Sequence, residues 1–136
     1  MVVAVMNLFP YQKGKSEQEI INDALEELIY AEELGFDSVW LAEHHFSEYG
    51  VLGNPLVFAS TLAAKTKRIR IGTAVMILPF YNPLRLAEDA ALVDILSNGR
   101  LDLGIGRGYQ PIEFQGFGID QSESKARFNE SVEIIK

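Results

Sequence analysis

The chain has 136 residues, 12 basic and 19 acidic side chains, a net charge of −7 with neutral histidines, and 48% hydrophobic content, the balance of an ordinary globular domain. One domain over residues 1–136 is expected, and this length cannot hold a complete (β/α)8 barrel, which takes about 250 residues. The acidic balance argues against a nucleic-acid partner, the absence of cysteine excludes disulfides and thiolate chemistry, and no apolar run approaches the roughly 20 residues of a membrane span.

The opening residues lack a basic segment and a small-residue cleavage site, so a cytoplasmic location with no membrane partner is expected. Residues 2–8 form a nearly continuous apolar run, as in a parallel strand covered on both faces. Ser16 with Glu19 makes a capping box, and Ile20, Ile21, Ala24, Leu25, Leu28, Ile29 and Ala31 give the helix a buried stripe that Gly35 terminates. A second strand is expected over 38–42, and Asn54-Pro55 opens a second helix. The basic stretch 65–70 reads as a solvated helix end. The β-branched run 69–77 reads as a third strand. Asn82-Pro83 opens a third helix over 84–96 that Asn98-Gly99 ends. A fourth strand over 101–105, a glycine-rich loop and a last helix from about 122 complete the order, with Phe128, Val132 and Ile135 on one helix face.

Strand–helix alternation repeated four times implies an α/β fold with a parallel sheet and right-handed crossovers. Two architectures compete: an open doubly wound sheet, or part of a closed barrel. The sequence stops at Lys136 inside a periodic helical pattern, as a chain cut short or built to pack against something else would.

Ligands of parallel α/β folds sit at the carboxyl ends of the strands, where Glu43-His44-His45 stands after the second strand. Alternation sends His44 to the barrel-interior side and His45 aside. An imidazole there suits general acid–base work, its ordinary pKa being about 6.5; equally, it serves to satisfy loop backbone groups. No metal site is expected, because consecutive ligand types diverge and no distant third ligand is signalled. Gly104-Ile105-Gly106-Arg107-Gly108-Tyr109-Gln110 follows the fourth strand. Its glycines permit close backbone approach to a flat ring or phosphate, with Arg107 as an anion fork, or they merely punctuate a turn. It is not a dinucleotide fingerprint, which requires glycine at Tyr109.

Several segments together resemble the bacterial luciferase-like flavin monooxygenase family. They are Ala42-Glu43-His44-His45-Phe46-Ser47-Glu48-Tyr49-Gly50 with Gly53-Asn54-Pro55, Ile71-Gly72-Thr73-Ala74-Val75, Asn82-Pro83-Leu84-Arg85-Leu86-Ala87-Glu88-Asp89, and the stretch 97–108. The resemblance implies the first four units of a (β/α)8 barrel, a (βα)4 half of a TIM-type barrel. It implies a monooxygenase that uses reduced FMN and O2 on a small organic substrate, with a separate flavin reductase. In one branch of the family F420 takes the place of FMN and the reaction is hydride transfer. By resemblance His44 is catalytic, Ala74-Val75 is a non-proline cis peptide beneath the flavin, and Gly106, Arg107 and Lys125 are cofactor-binding. Arg127 is a possible substitute for Lys125, and His45 and Tyr109 line the substrate pocket. Gly106 replaces a cysteine of luciferase, which implies a larger pocket.

Four units leave two strand edges and an inner face bare, which invites pairing with another chain. A homodimer closing eight strands is therefore expected. By resemblance a second contact runs through the helix over 82–97, with Glu88, Asp89 and Asp94 at the interface, and both together give a tetramer. From another class, the chain reads as a non-catalytic flavin-binding or assembling half-barrel.

Overall fold

The computed structural model describes residues 1–136. The apolar opening run yields a short strand, β1 (Ala4–Asn7), and Ser16 caps the first helix, α1 (Glu17–Glu33). The Ser16 hydroxyl accepts from the Glu19 N–H, and the Glu19 carboxylate accepts from the Ser16 N–H at 2.7 Å, so two orphan donors are satisfied reciprocally. Ile20, Ala24, Leu28 and Ala31 are buried along α1. Strand β2 (Ser38–Leu41) leads to α2 (Pro55–Lys65), where the Asn54 side chain accepts from the N–H groups of Leu56 and Val57. Strands β3 (Arg70–Thr73) and β4 (Met76–Ile77) precede α3 (Pro83–Leu96), which Asn82 caps in the same way. The chain continues through β5 (Leu101–Asp102), β6 (Ile105–Gly106), α4 (Pro111–Phe117) and α5 (Ser124–Ile135).

Strands β1, β2, β3 and β5 pair in that order, all parallel, so order in space follows order along the chain. Val5, Val39, Ile71 and Leu101 share one row across the sheet. That row packs with Leu28, Leu56, Leu62, Leu86, Val93 and Val132 into one apolar cluster under α1, α2, α3 and α5. The neighbouring row, Met6, Trp40, Gly72 and Asp102, faces the other way. There Met6 is 55% exposed and Trp40 is partly exposed. All the covering helices thus lie on one face. That is the winding of a barrel segment; a doubly wound sheet carries helices on both faces.

On the bare face the Trp40 indole lies over Gly72, where a Cβ would overlap it, and its N–H donates to Ser38 Oγ at 3.1 Å. Arg70 grips Asp102 through two bonds of 2.6 and 2.8 Å on the same side.

The structure departs from the expected elements in three places. The strand expected over 69–77 breaks after Thr73 at a cis Ala74–Val75 peptide, and Met76 and Ile77 pair with Ile105 and Gly106 as a separate ladder. The fourth strand splits at the same level into β5 and β6. Gly104 explains both breaks: its carbonyl accepts from Thr73 Oγ1 at 2.7 Å and from the Met76 N–H at 2.8 Å, while a Cβ on it would strike the Thr73 carbonyl. Third, the glycine-rich loop contains α4, opened by Pro111 and closed by Gly118 at φ 66°. Its seven residues are too few to show a helical stripe in sequence, although the proline and glycine are the expected boundary signals.

Candidate active site

At the carboxyl ends of β2, β4 and β6 lies a cavity of about 420 Å³, within the range of small-ligand sites, and His44, Ala74, Val75, Gly106, Arg107 and Tyr109 all line it. Met6, Leu8, Tyr49 and Ile77 add apolar and aromatic wall. The structure does not bring His45 or Lys125 to this cavity. Alternation past β2 turns His45 away; its Nε2 meets Glu43 Oε1 at 2.8 Å and its ring packs edge-on against Phe117. Lys125 is exposed near the start of α5, and Arg127 is held by Glu123 at 2.9 Å.

His44 is 8% exposed and is held from three sides. Tyr49 stands edge-on to the imidazole at 4.5 Å. Glu113 Oε1 lies 3.2 Å from Nδ1 and also accepts the backbone N–H of His45 at 3.1 Å. A carboxylate in that role only accepts, so the Nδ1 proton donates to Glu113 and Nε2 keeps the lone pair. The Gln110 amide also stands 3.2 Å from Nδ1; its oxygen fits when Nδ1 carries the proton, and its NH2 donates when Nε2 does. Neither Glu113 nor Gln110 was singled out in the sequence: both lie more than 60 positions from His44, and only α4 brings them near.

Glu43 organises the floor. Besides His45, it accepts the Ile77 N–H at 2.9 Å and the Tyr81 hydroxyl, which ties β2 to β4 beside the cis peptide. Burial pushes the Tyr81 phenol far above the ordinary tyrosine range, and the Glu43 carboxylate adds to the effect. Burial likewise raises Tyr109, with Tyr49 adding to it.

The wall suits a flat heteroaromatic ring with an anionic tail. Backbone forms much of it, at cis Ala74–Val75 and at Gly106 to Gly108, and the Arg107 guanidinium at the rim has no carboxylate partner. The expectation that Gly106 enlarges the pocket is corrected here. Val75 Cγ2 occupies the place a Gly106 Cβ would take, so the volume is exchanged between neighbours and not left open.

The family model described as luciferase-like monooxygenase matches residues 1–136. The chain belongs to the luciferase-like monooxygenase family. This luciferase-like chain is 42% identical over 129 residues to the alkanal monooxygenase alpha chain of a Kryptophanaron alfredi symbiont, covering 94% of itself and 36% of that protein. It is 35% identical to the oxygenase component of a flavin-dependent trigonelline monooxygenase from Acinetobacter baylyi, covering 96% of itself and 38% of that protein. Its fold matches the oxygenating constituent of 3,6-diketocamphane monooxygenase from Pseudomonas putida, solved with FMN, at TM-score 0.94 and 24% identity, covering 99% of this chain and 38% of that one. The chain therefore spans well under half the length of these luciferase-like proteins, and its four units correspond to part of their barrel. No helix is long and apolar enough to cross a membrane.

Proposed function

We propose that this chain carries the catalytic-histidine side of a flavin-dependent monooxygenase site, which uses reduced FMN and O2 to oxygenate a small organic substrate, with a separate reductase supplying the reduced flavin. The observation that carries the reading is a buried imidazole at a strand end, held by Glu113 and facing a backbone-walled cavity with an unpaired guanidinium at its rim. When bound, the flavin supplies electrons for dioxygen activation. The chain's own residues do the rest: Ala74, Val75 and Gly106 lie against the ring, Arg107 holds the phosphate, and Tyr109 bounds the substrate side. His44 Nε2 takes or returns a proton while Nδ1 stays on Glu113, which contributes about 10²–10⁴-fold to rate.

The remaining half of the ring comes from another (βα)4 body, and for the 136-residue chain a second copy fills that place, β5 of each copy bordering β1 of the other. A further contact surface is the outer side of α3, where Leu84, Leu92, Ile95 and Leu96 are exposed; using both surfaces gives a tetramer. Among the acidic residues expected there, Asp94 is committed to the Leu101 N–H at 3.2 Å and Glu88 to Arg85 at 3.0 Å. Asp89 is the one left facing outward.

Fluorescence titration tests the cofactor assignment. Saturable quenching of FMN supports the reading, binding of F420 alone assigns the chain to the hydride-transfer branch, and binding of neither leaves an assembling scaffold. His44→Ala is expected to keep FMN binding and to lose most oxygenase turnover.

A further inference from the structure

A second cleft, of about 540 Å³, opens on the far side of the His44–His45 segment, between the loop after β1 and the loop after β2. Its chemistry differs from that of the flavin-like cavity. Glu17 and Glu48 contribute carboxylates, Tyr11 and Phe46 contribute exposed aromatic rings, and no lysine or arginine lines it.

Two further polar groups in the cleft wall lack partners. The His45 Nε2 proton is committed to Glu43, whose other oxygen is already taken by the Ile77 N–H, so the Nδ1 lone pair faces outward. Gly53 leaves that nitrogen reachable; a Cβ there would sit 3.4 Å from it. The Ser47 hydroxyl is buried and has no hydrogen-bond partner, an arrangement that costs stability unless something else fills the role. Acceptors thus outnumber donors, two negative charges stand uncompensated, and aromatic rings flank the space. A cation bearing several N–H donors meets all three conditions, with ring faces adding cation–π attraction.

We propose that this cleft is a second small-molecule site, selective for a small organic ammonium, seated on His45 Nδ1 and Ser47 Oγ between Glu17 and Glu48. The site is separate from the flavin reading and stands or falls without it. Among the residues named for it, none lines the other cavity.

The test titrates the ¹⁵N-labelled full chain with n-propylammonium, using n-propanol and propionate as neutral and anionic counterparts. Saturable shifts of the Ser47, Gly50 and Gly53 amides and of His45 Nδ1 are expected for the ammonium alone. Gly53→Ala places a methyl group at ordinary contact distance over Nδ1 and is expected to weaken binding about tenfold or more while leaving the FMN titration unchanged; Ser47→Ala is expected to weaken it less. The proposal is overturned by an absence of saturable shifts, by equal shifts with propanol, or by undiminished binding in Gly53→Ala.

Discussion

Val75 and Gly106 share one volume in the cavity wall, so each constrains the other. Gly106→Ala is expected to destabilise the fold by about 1–3 kcal/mol through overpacking, and adding Val75→Ala should recover most of that loss; urea melts of both variants read the difference. The His44–Glu113 pair makes a second claim at this scale. Glu113→Gln keeps the shape but removes the charged acceptor, so the Nδ1–H tautomer loses its bias. The expected result is a change in the ¹⁵N shifts of the His44 ring and a turnover loss of about tenfold or more, smaller than that of His44→Ala, with FMN affinity held. Unchanged ring shifts would show that Glu113 does not set the tautomer. How far such details were legible depended on sequence distance. His44 was readable because strand alternation and strand-end position are local rules. Glu113 and Gln110 were not, because their roles arise only when α4 folds back across the end of β2.

Among the elements, α2 and α3 are joined by one buried side chain that no motif announces. Arg100 donates to Ser97 O at 2.6 Å, to Ile69 O, Ala63 O and Thr66 Oγ1 at 2.9 Å, and to Thr66 O at 3.2 Å. It thereby satisfies the carboxyl ends of both helices, where positive charge is favoured. Arg100→Met leaves those carbonyls buried without partners and is expected to cost about 3 kcal/mol or more, read as a lowered urea midpoint. Glu32 plays the converse part at the entry to β3. Burial alone would raise its carboxyl, but the N–H groups of Ile69, Lys67 and Arg68 outweigh this and hold it below the ordinary range. With a folded pKa below the unfolded value, its contribution is full above about pH 4.5 and is lost as pH falls through the depressed value. Being partly exposed, it is worth only about 1 kcal/mol. Glu32→Gln should therefore lower stability at pH 7 and make little difference near pH 3. Helix starts were readable because Ser16, Asn54 and Asn82 cap locally. The breaks in the third and fourth strands were not, because they depend on the close approach of Gly104 to Thr73 across the sheet.

For the whole molecule, sequential strand order and one-sided helices leave β1 and β5 as edges and the face around Met6 and Trp40 bare. Such a surface is aggregation-prone unless covered. Light scattering on the purified chain at micromolar concentration is expected to return at least twice the chain mass, and a folded monomer would remove the second-copy arrangement while leaving the cavity intact. The alternation of elements and the absence of charge on the helix-facing row made the barrel segment legible before any coordinates. Which body completes the ring is a property of two surfaces, and one sequence holds only one of them.

The claim on which the functional account rests is that the cavity beside His44 is where flavin sits. Amide shifts of the ¹⁵N-labelled chain on addition of FMN test it most directly. The expected result is saturable movement of Ala74, Val75, Gly106 and Arg107 together with the His44 ring; movement confined to other residues, or none at all, would contradict it.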